Sequence, residues 1–521
     1  MKKTFYMFCA LLALVMILPS SVKAQKITDG KLTDCQFTSM DKYTIPEEVT
    51  VIDTMCFYGS SITEVTITKN VKRIAPMAFY MCPSLKKVIF VDDATVEEIG
   101  ESAFGENTSL AEITLPNSVR VLGQNAFTFD ENLKKVVLSE NLERLSYGTF
   151  GTCTSLTKLD IPASVKVIED FAIANNPNLK RVVINGADSI GARSFYHNTS
   201  LFDVQLPETL KEIGDSCFMR CNLLEEITLP ASLEKVGDKM FFMCPDFLGY
   251  KVAEGSKNFT AVDGVLYSKD MKVLHECPQQ FATEMFELPA ETEVIRPAAF
   301  FECINVKGIK IPSTIKSIGI AALANNGMSK FDFVGNEKYV VEGSSIYAIL
   351  KSADGYAFLA HPSKCADTKI VVLPNTKLIA DFSMAYNEFV ETVYFPKELM
   401  GMSHAAMQGD TAIKDIYSYA TTAPQVADHT VFAGIDLSKA LLHVTSDIKV
   451  YQSYNDAGWL FNLGDDIPEE YPITTGIEGV ENDVHKSVAA YYSVDGTLLN
   501  APVKGINIVK YTDGTSKKVI M

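Results

Sequence analysis

The sequence predicts a β-rich solenoid, in which short repeats of about 23 residues stack on one another. The first observation is a pattern that recurs from near residue 25 to about residue 400 and reads L-P-x-S-V-x-x-I-G-x-x-A-F-x-x-C/N-x-x-L-x-x-I/V-x-L. The second is the register of the small residue three places after the phenylalanine, which advances by 22–25 residues except for two steps of 59 and 61. Such units bury their apolar face only by stacking on their neighbours. The residues in register are Ser60, Cys82, Asn107, Asp130, Cys153, Asn176, Asn198, Cys221, Cys244, Cys303, Asn326 and Asn387.

Each repeat contains two predicted strands. The stretch L-x-x-I-x-L points its aliphatic residues inward and is ended by proline, which cannot donate to a strand ladder. V-x-x-I-G supplies a second inward pair and a glycine for the bend. The A-F pair places a phenylalanine in the core of most coils, while Ile173, Leu323 and Met384 depart from this pattern and predict looser or different packing.

Two rows of small polar residues are expected to bond the inward-pointing backbone groups at the corners of the coil. The first row is the register series given above, which we call the corner row. The second row consists of Asn70, Ser118, Asn141, Ser164, Thr209, Ser232 and Thr314.

These motifs resemble the BspA-like, or Treponema-type, leucine-rich repeat family over about residues 40–420. The A-F-x-x-C/N and I-x-L-P elements carry the resemblance. It implies a right-handed, curved leucine-rich-repeat solenoid with strands on its concave side. It also implies an exported surface protein that adheres to host extracellular proteins, with fibronectin and fibrinogen as the associated partners.

The predicted solenoid covers residues 25–410 and contains two related insertions, near 249–287 and 334–372. Each insertion carries a hairpin-turn dipeptide, Asp263-Gly264 or Asp354-Gly355, and predicts a β-hairpin flap along one flank. Residues 411–464, with the only tryptophan, resemble the family's C-terminal cap. An acidic linker is expected at 465–484. Residues 485–521 predict two hairpins, and resemble short C-terminal modules on exported proteins of anaerobic Gram-negative bacteria.

Residues 1–24 have the features of a signal peptide, and no later stretch is apolar for long enough to form a membrane helix. We therefore expect an exported, monomeric protein, secreted or held at the surface of a Gram-negative cell. The formal net charge of −17 excludes a nucleic-acid partner, because polyanions repel one another.

Ten of the eleven cysteines follow the predicted cleavage site, and most of them share repeat positions with Asn, Asp, Ser or Ala. They are interpreted as free thiols, with a Cys221–Cys244 bridge left open because adjacent coils lie about 4.8 Å apart. Two close His/Cys pairs, His275–Cys277 and His361–Cys365, are interpreted as hairpin residues rather than a metal site or catalytic dyad. Because motifs for catalysis and cofactor binding are absent from the sequence, we predict no enzyme, cofactor or metal.

The candidate partner site is a basic stripe on the outward positions of the strands. It consists of Lys86, Lys87, Lys134, Lys135, Lys158, Lys180 and Arg181, with the aliphatic residues Val137 and Val183 beside it. This surface would suit an acidic protein partner. A competing interpretation is that Glu112 merely balances charge between Lys87 and Lys135.

An alternative function is glycan binding, as an accessory protein of a surface polysaccharide system. Such a protein would use exposed aromatic platforms, for which Tyr394 and Tyr417 on neighbouring strands are the evident pair.

Overall fold

The computed structural model describes residues 26–33, 35, 41–468 and 470–472, together with four C-terminal strand segments. It divides into two units, Met1–Pro468 and Glu469–Met521. The predicted signal peptide, residues 1–24, and most of the predicted linker, residues 465–484, lie outside the described residues. Within the described part of the chain, no helix has the length and apolar character needed to cross a membrane.

The first unit is a parallel β-solenoid, as predicted, and its front row of strands carries the L-x-x-I-x-L sequences. Strands one coil apart pair in parallel, so that Val65 lies beside Val88 and Ile113 beside Val136. The front row comprises Lys42–Thr44, Glu64–Ile67, Lys87–Phe90, Glu112–Thr114, Lys135–Val137, Lys158–Ile161, Arg181–Ile184, Asp203–Gln205, Glu226–Leu229, Gly249–Val252, Phe286–Glu287, Gly308–Lys310, Lys330–Asp332, Lys369–Val371, Thr392–Phe395, Asp415–Ser418, Leu441–His443 and Asn462–Leu463.

A second row of mostly two-residue strands carries the V-x-x-I-G sequences. In most coils the aliphatic residue before the bend is buried, as Ile74 and Ile99 show, and the residue before it is more exposed. The row comprises Lys31–Thr33, Val51–Ile52, Arg73–Ile74, Glu98–Ile99, Val121–Leu122, Arg144–Leu145, Val167–Ile168, Ser189–Ile190, Glu212–Ile213, Lys235–Val236, Val294–Ile295, Ser317–Ile318, Thr376–Ile379, Gly401–Met402 and Gln425–Val426; a further strand, Lys26–Thr28, pairs with its first member.

Stacked phenylalanine rings run through the core between the two rows. Ring centroids of Phe79 and Phe104 lie 5.1 Å apart with planes 1° from parallel, and those of Phe104 and Phe127 lie 5.6 Å apart. All three side chains are fully buried. The stack is interrupted at Ile173, which is itself fully buried, so the predicted departure is filled by an aliphatic side chain.

Both polar rows bond the backbone from coil to coil, which confirms their structural interpretation. In the corner row, Asn107 accepts from the Cys82 N–H at 2.9 Å, and Asn176 donates to the Phe150 carbonyl at 2.9 Å. In the second polar row, Ser232 donates to the Leu210 carbonyl at 2.7 Å. The Ser164 hydroxyl is an exception, since it is buried without a partner among the described residues.

The cysteines of the described chain are free and buried, as predicted, and Cys221 and Cys244 do not form a bridge. Each of these two thiols donates instead to a phenylalanine carbonyl of the preceding coil, at 3.2 Å and 3.1 Å. Burial raises the pKa of both thiols.

The two insertions are built into the sheet, so the prediction of flaps is wrong. Each forms three antiparallel strands, and the third pairs in parallel with the second row of the next coil, as Leu274 does with Ile295. Asp263 and Gly264 form the first two-residue turn with positive φ angles of 51° and 83°. The strands are Phe259–Val262, Val265–Ser268 and Val273–Glu276, then Tyr339–Glu342, Ser345–Leu350 and Gly355–Ala360.

The main core consists of three clusters that meet at these insertions. They extend from Leu32 to Leu266, from Val265 to Ala360, and from Tyr347 to Phe461.

The segment predicted as a cap contains helix α1, Ile448–Asp456, which starts at the N-cap Asp447. The side chain of Asp447 accepts from the Lys449 N–H at 2.8 Å. Trp459 is fully buried and donates to the Pro424 carbonyl at 2.9 Å. It therefore belongs to the core at this end of the first unit.

The second unit contains two antiparallel strand pairs. Their strands are Val488–Tyr492 with Leu498–Leu499, and Ile506–Tyr511 with Ser516–Ile520. Val488–Tyr492 also pairs with Ile506–Tyr511, which joins the two pairs in one sheet. The two predicted Asp-Gly turns lie outside the described residues.

Candidate functional site

The strand register places the basic stripe on the exposed side of the front row. Lys87, Lys135 and Arg181 each begin a strand whose second residue packs inward. Lys135 lies directly beside Glu112, and Lys158 directly beside Arg181. The seven cations are exposed, and the only carboxylate at the same two positions of these five coils is Glu112. The structure therefore brings the predicted residues together on one surface.

Among the described residues, ion pairs are found at the C-terminal end of the stripe and just before its N-terminal end, but not along its lysines. Arg181 pairs with Asp203 at 3.1 Å, and just before the stripe Lys42 pairs with Glu64 at 3.2 Å. The six lysines of the stripe make no ion pair within 4.0 Å of any other described residue. Glu112 pairs with neither of its neighbouring lysines in this part of the chain.

Along the second row of strands in the same coils, by contrast, charged side chains do form ion pairs. Charged side chains one coil apart pair there repeatedly, at 3.1 Å for Arg73–Glu98, 2.7 Å for Arg120–Glu143 and 3.1 Å for Arg144–Glu169. Charge balance across strands is thus achieved on one side of the coil and left incomplete on the other. This contrast weakens the interpretation of the stripe as simple charge balance.

An open depression of about 700 Å³ lies at the N-terminal part of the stripe. Its walls include Lys86 and Lys87 on one coil and Lys134 and Lys135 two coils later, with Glu112 between them. The small side chain of Ala111 leaves room between the two lysine pairs. Its lining holds five lysines and three carboxylates, and one of those lysines, Lys42, pairs with Glu64, so an acidic side chain entering this space would meet the four stripe lysines beside Asp41, Glu64 and Glu112.

Of the two predicted aliphatic residues, Val137 is 41 % exposed, whereas Val183 is half-buried. Val183 lies beside Asp160 and Gln205 on the adjacent strands, so its surroundings are polar. Only Val137 offers an apolar contact comparable to those of a binding surface.

Sequence reasoning missed two exposed apolar residues in the same column of the front row. Phe202 is 58 % exposed and Leu248 is 50 % exposed, and both occupy the position that Lys134 and Lys180 hold in earlier coils. The repeat register itself would have located them. They extend the column beyond the stripe, past the acidic residues Asp203, Glu225 and Glu226.

The aromatic pair predicted as a glycan platform has its ring faces covered. Tyr394 and Tyr417 stack at 4.5 Å with planes 5° from parallel. The ammonium group of Lys369 lies 4.5 Å from the centre of the Tyr394 ring, and His443 stacks on Tyr417 at 4.1 Å. Stacking of a sugar needs a free ring face, so this ladder presents ring edges and hydroxyl groups instead.

The His275–Cys277 pair does not have the properties of an activated thiol. Burial lowers the pKa of His275 to about 4 and raises the pKa of Cys277 well above its usual value. A reactive cysteine requires the opposite, a lowered thiol pKa beside a charged group. This outcome agrees with the interpretation of these residues as part of a hairpin.

A family model described as the BspA type leucine rich repeat region matches six copies in this chain, over residues 25–153, 123–247 and 275–353. The chain belongs to this family. A BspA-type protein is a leucine-rich-repeat protein of the surface-exposed kind, which agrees with the repeat and the parallel strand rows. A comparison with curated protein sequences finds no match.

Several solved leucine-rich-repeat structures are similar to this BspA-type chain. A leucine rich cell surface protein from Faecalibacterium prausnitzii is 22 % identical, with 74 % of this chain and 90 % of that chain covered and a TM-score of 0.44. A leucine-rich repeat protein from Bacteroides ovatus is 15 % identical, with 87 % and 100 % covered and a TM-score of 0.37. The pneumococcal vaccine antigen PcpA is 17 % identical, with 85 % and 96 % covered and a TM-score of 0.30.

Proposed function

We propose that this protein is an exported, non-catalytic surface protein that binds an acidic protein partner through the basic stripe. The observation that carries the proposal is the group of exposed lysines that make no ion pair with the described residues, in a chain of net charge −17. Ammonium groups without partners gain from meeting carboxylates, and many modest contacts over several coils suit a regularly built surface. The exposed residues Val137 and Phe202 add apolar contacts at the middle and end of the same surface.

The test compares two quadruple variants with equal changes in charge. The stripe variant replaces Lys86, Lys87, Lys134 and Lys135 by glutamate. The control variant replaces Lys211, Lys257, Lys269 and Lys351, which are exposed and lie outside the front row. Binding of each purified protein to fibronectin, fibrinogen and a glycan array is measured at two salt concentrations.

We expect the stripe variant alone to lose binding to a protein partner, and higher salt to weaken binding of the unmodified protein, because exposed charges are screened. Both variants should keep the far-ultraviolet circular dichroism of the parent, since exposed substitutions change stability by about 0.5 kcal/mol or less each. Equal losses of binding in both variants would show that binding depends only on net charge. Undiminished binding by the stripe variant would show that the partner binds at another surface of the protein.

The alternative, a glycan-binding accessory protein, has less support. Tyr394 and Tyr417 have covered ring faces, and Trp459 is buried in the core. Binding to glycans alone, undiminished in the stripe variant, would nevertheless favour this alternative over a protein partner.

A further inference from the structure

A group of three potential metal ligands lies at the end of the second insertion. His361, Cys365 and Asp367 each offer one ligand atom, and the three atoms lie within 4.8 Å of one another. His361 is 3 % exposed and Cys365 is 7 % exposed, while Asp367 is half-buried. The group is thus a buried nitrogen and sulfur with a carboxylate on the solvent side.

The coil geometry explains how Cys365 comes to this place. Asn387 donates to the Pro362 carbonyl at 3.2 Å, as Asn176 donates to that of Phe150 in a regular coil. The Cys365 N–H donates to the same Pro362 carbonyl at 3.1 Å. Pro362 therefore occupies the position of the core phenylalanine. Cys365, three residues later, occupies a corner-row position that the register series skips between Asn326 and Asn387.

The thiol of Cys365 differs from the other corner-row thiols. Those thiols donate to a backbone carbonyl of the preceding coil, at 2.9 Å for Cys82, 3.1 Å for Cys153 and 3.5 Å for Cys303. The Cys365 thiol instead contacts the hydroxyl of Ser344 at 3.3 Å and also faces Asp367. Its neighbours thus include two polar side chains, those of Ser344 and Asp367, which can rearrange around a ligand.

The imidazole of His361 supplies an independent observation. Its Nδ1 atom lies 2.9 Å from the Ser345 hydroxyl, whereas Nε2 is buried without a hydrogen-bond partner among the described residues. A buried polar atom without a partner is costly and calls for a physical reason. Two nearby hydroxyls, of Ser363 in the same segment and of Ser383 on the next coil, are also buried with no partner in the described part of the chain.

We propose that His361 Nε2, Cys365 Sγ and a carboxylate oxygen of Asp367 bind one divalent transition-metal ion, with zinc the best fit. Imidazole, thiolate and carboxylate are the ligands that zinc takes, and three of them leave a fourth position for water. Ser345 would accept a hydrogen bond from Nδ1–H and so direct Nε2 toward the metal. Binding releases the Cys365 thiol proton to solvent as the sulfur–zinc bond forms, so affinity should rise with pH.

The first insertion serves as an internal comparison. The Cys277 N–H donates to the Ala299 carbonyl of the next coil at 2.8 Å, and the His361 N–H donates to the Ser383 carbonyl in the same way, also at 2.8 Å. Because the two backbone bonds are equivalent, Cys277 occupies in the first insertion the position that His361 occupies in the second. The counterpart of Cys365 is Phe281, whose N–H donates to the Pro278 carbonyl at 3.0 Å. The described part of that insertion holds no such group of three ligands, so the proposed site is specific to the second insertion.

The experiment uses the full-length chain after removal of metal by a chelator. The stripped protein is incubated with excess zinc and its zinc content is measured after gel filtration. Cobalt(II) replaces zinc as a spectroscopic probe, because a thiolate ligand gives a charge-transfer absorption. We expect one equivalent of zinc and a thiolate–cobalt band, both abolished in Cys365→Ser. Ser345→Ala should weaken zinc binding by about 10–100-fold.

Cys82→Ser is the matched control, since it removes a corner-row thiol of a regular coil, and it should retain zinc and the band. If Cys365→Ser does not fold, Asp367→Asn tests the same site at a more exposed residue and should lower zinc affinity by about tenfold or more. The proposal is overturned if the unmodified protein retains no zinc, or if Cys82→Ser loses the band as completely as Cys365→Ser does.

Discussion

Replacing Asp130 by asparagine should stabilise the protein. Asp130 is a fully buried member of the corner row whose Oδ1 accepts from the Asn107 N–H at 2.7 Å. Its Oδ2 is buried without a partner in the described structure, and desolvation raises the pKa of the carboxyl well above its usual value. At the equivalent position Asn107 carries an amide that donates to the Phe104 carbonyl at 2.6 Å.

The magnitude follows from two contributions. The asparagine amide would add one hydrogen bond, worth about 1 kcal/mol at any pH, and would remove the free-energy cost of keeping the buried carboxyl protonated, which grows with pH. Above a pH of about 4 the unfolded chain releases the Asp130 proton while the folded protein retains it, so the stability of the unmodified protein falls as pH rises toward the folded pKa. The advantage of Asp130→Asn should therefore be about 1 kcal/mol at pH 4 and should grow toward pH 7, by up to about 1.4 kcal/mol for each pH unit below the folded pKa.

Urea unfolding followed by circular dichroism at both pH values measures this difference. The converse change, Asn198→Asp, should destabilise the protein and make its stability fall more steeply with pH, because Asn198 accepts from the Asn176 N–H at 2.8 Å and donates to the Ile173 carbonyl at 3.0 Å. A less stable Asp130→Asn variant at pH 7, or an advantage that does not depend on pH, would refute the reasoning.

Three further predictions concern the core. Phe127→Ala should lower the free energy of unfolding by about 3–5 kcal/mol, as measured by urea titration, because its fully buried ring stacks on both neighbours; a loss below about 1 kcal/mol would contradict this. All ten described cysteines should react in a thiol assay of the denatured, unreduced protein, and a count near zero would disprove free thiols. Burial raises the pKa of Glu276 to about 7, so stability should fall between pH 5 and 8, and Glu276→Gln should reduce this fall in pH-dependent melting.

The regular coils could be predicted from the sequence because the same residue types recur at the same positions in many repeats. The phenylalanine stack and the corner-row bonds follow from residues such as Phe104 and Asn107, whose equivalents recur at a fixed spacing. Where one coil departs from the pattern, as at Ile173, its neighbours still fix the register.

The insertions and the ion pairs could not be predicted in this way. Pro362 in place of phenylalanine removes the signal that would have marked Cys365 as a corner-row residue. Pairing of a third insertion strand with the next coil depends on contacts distant in sequence. The register places Lys87 beside Glu64, yet Glu64 pairs with Lys42, a choice made by side-chain conformations and not by spacing.

The meeting of three core clusters at the two insertions has a mechanical consequence. Each coil is stabilised by side-chain contacts with its two neighbours. A pulling force applied to residues 42 and 463 would therefore act on three blocks in series, each block being the coils that share one core cluster. Each block would give way separately, and extension would proceed in steps as the chain of one block after another is released. We therefore expect the solenoid to yield first at the insertions, where one cluster gives way to the next.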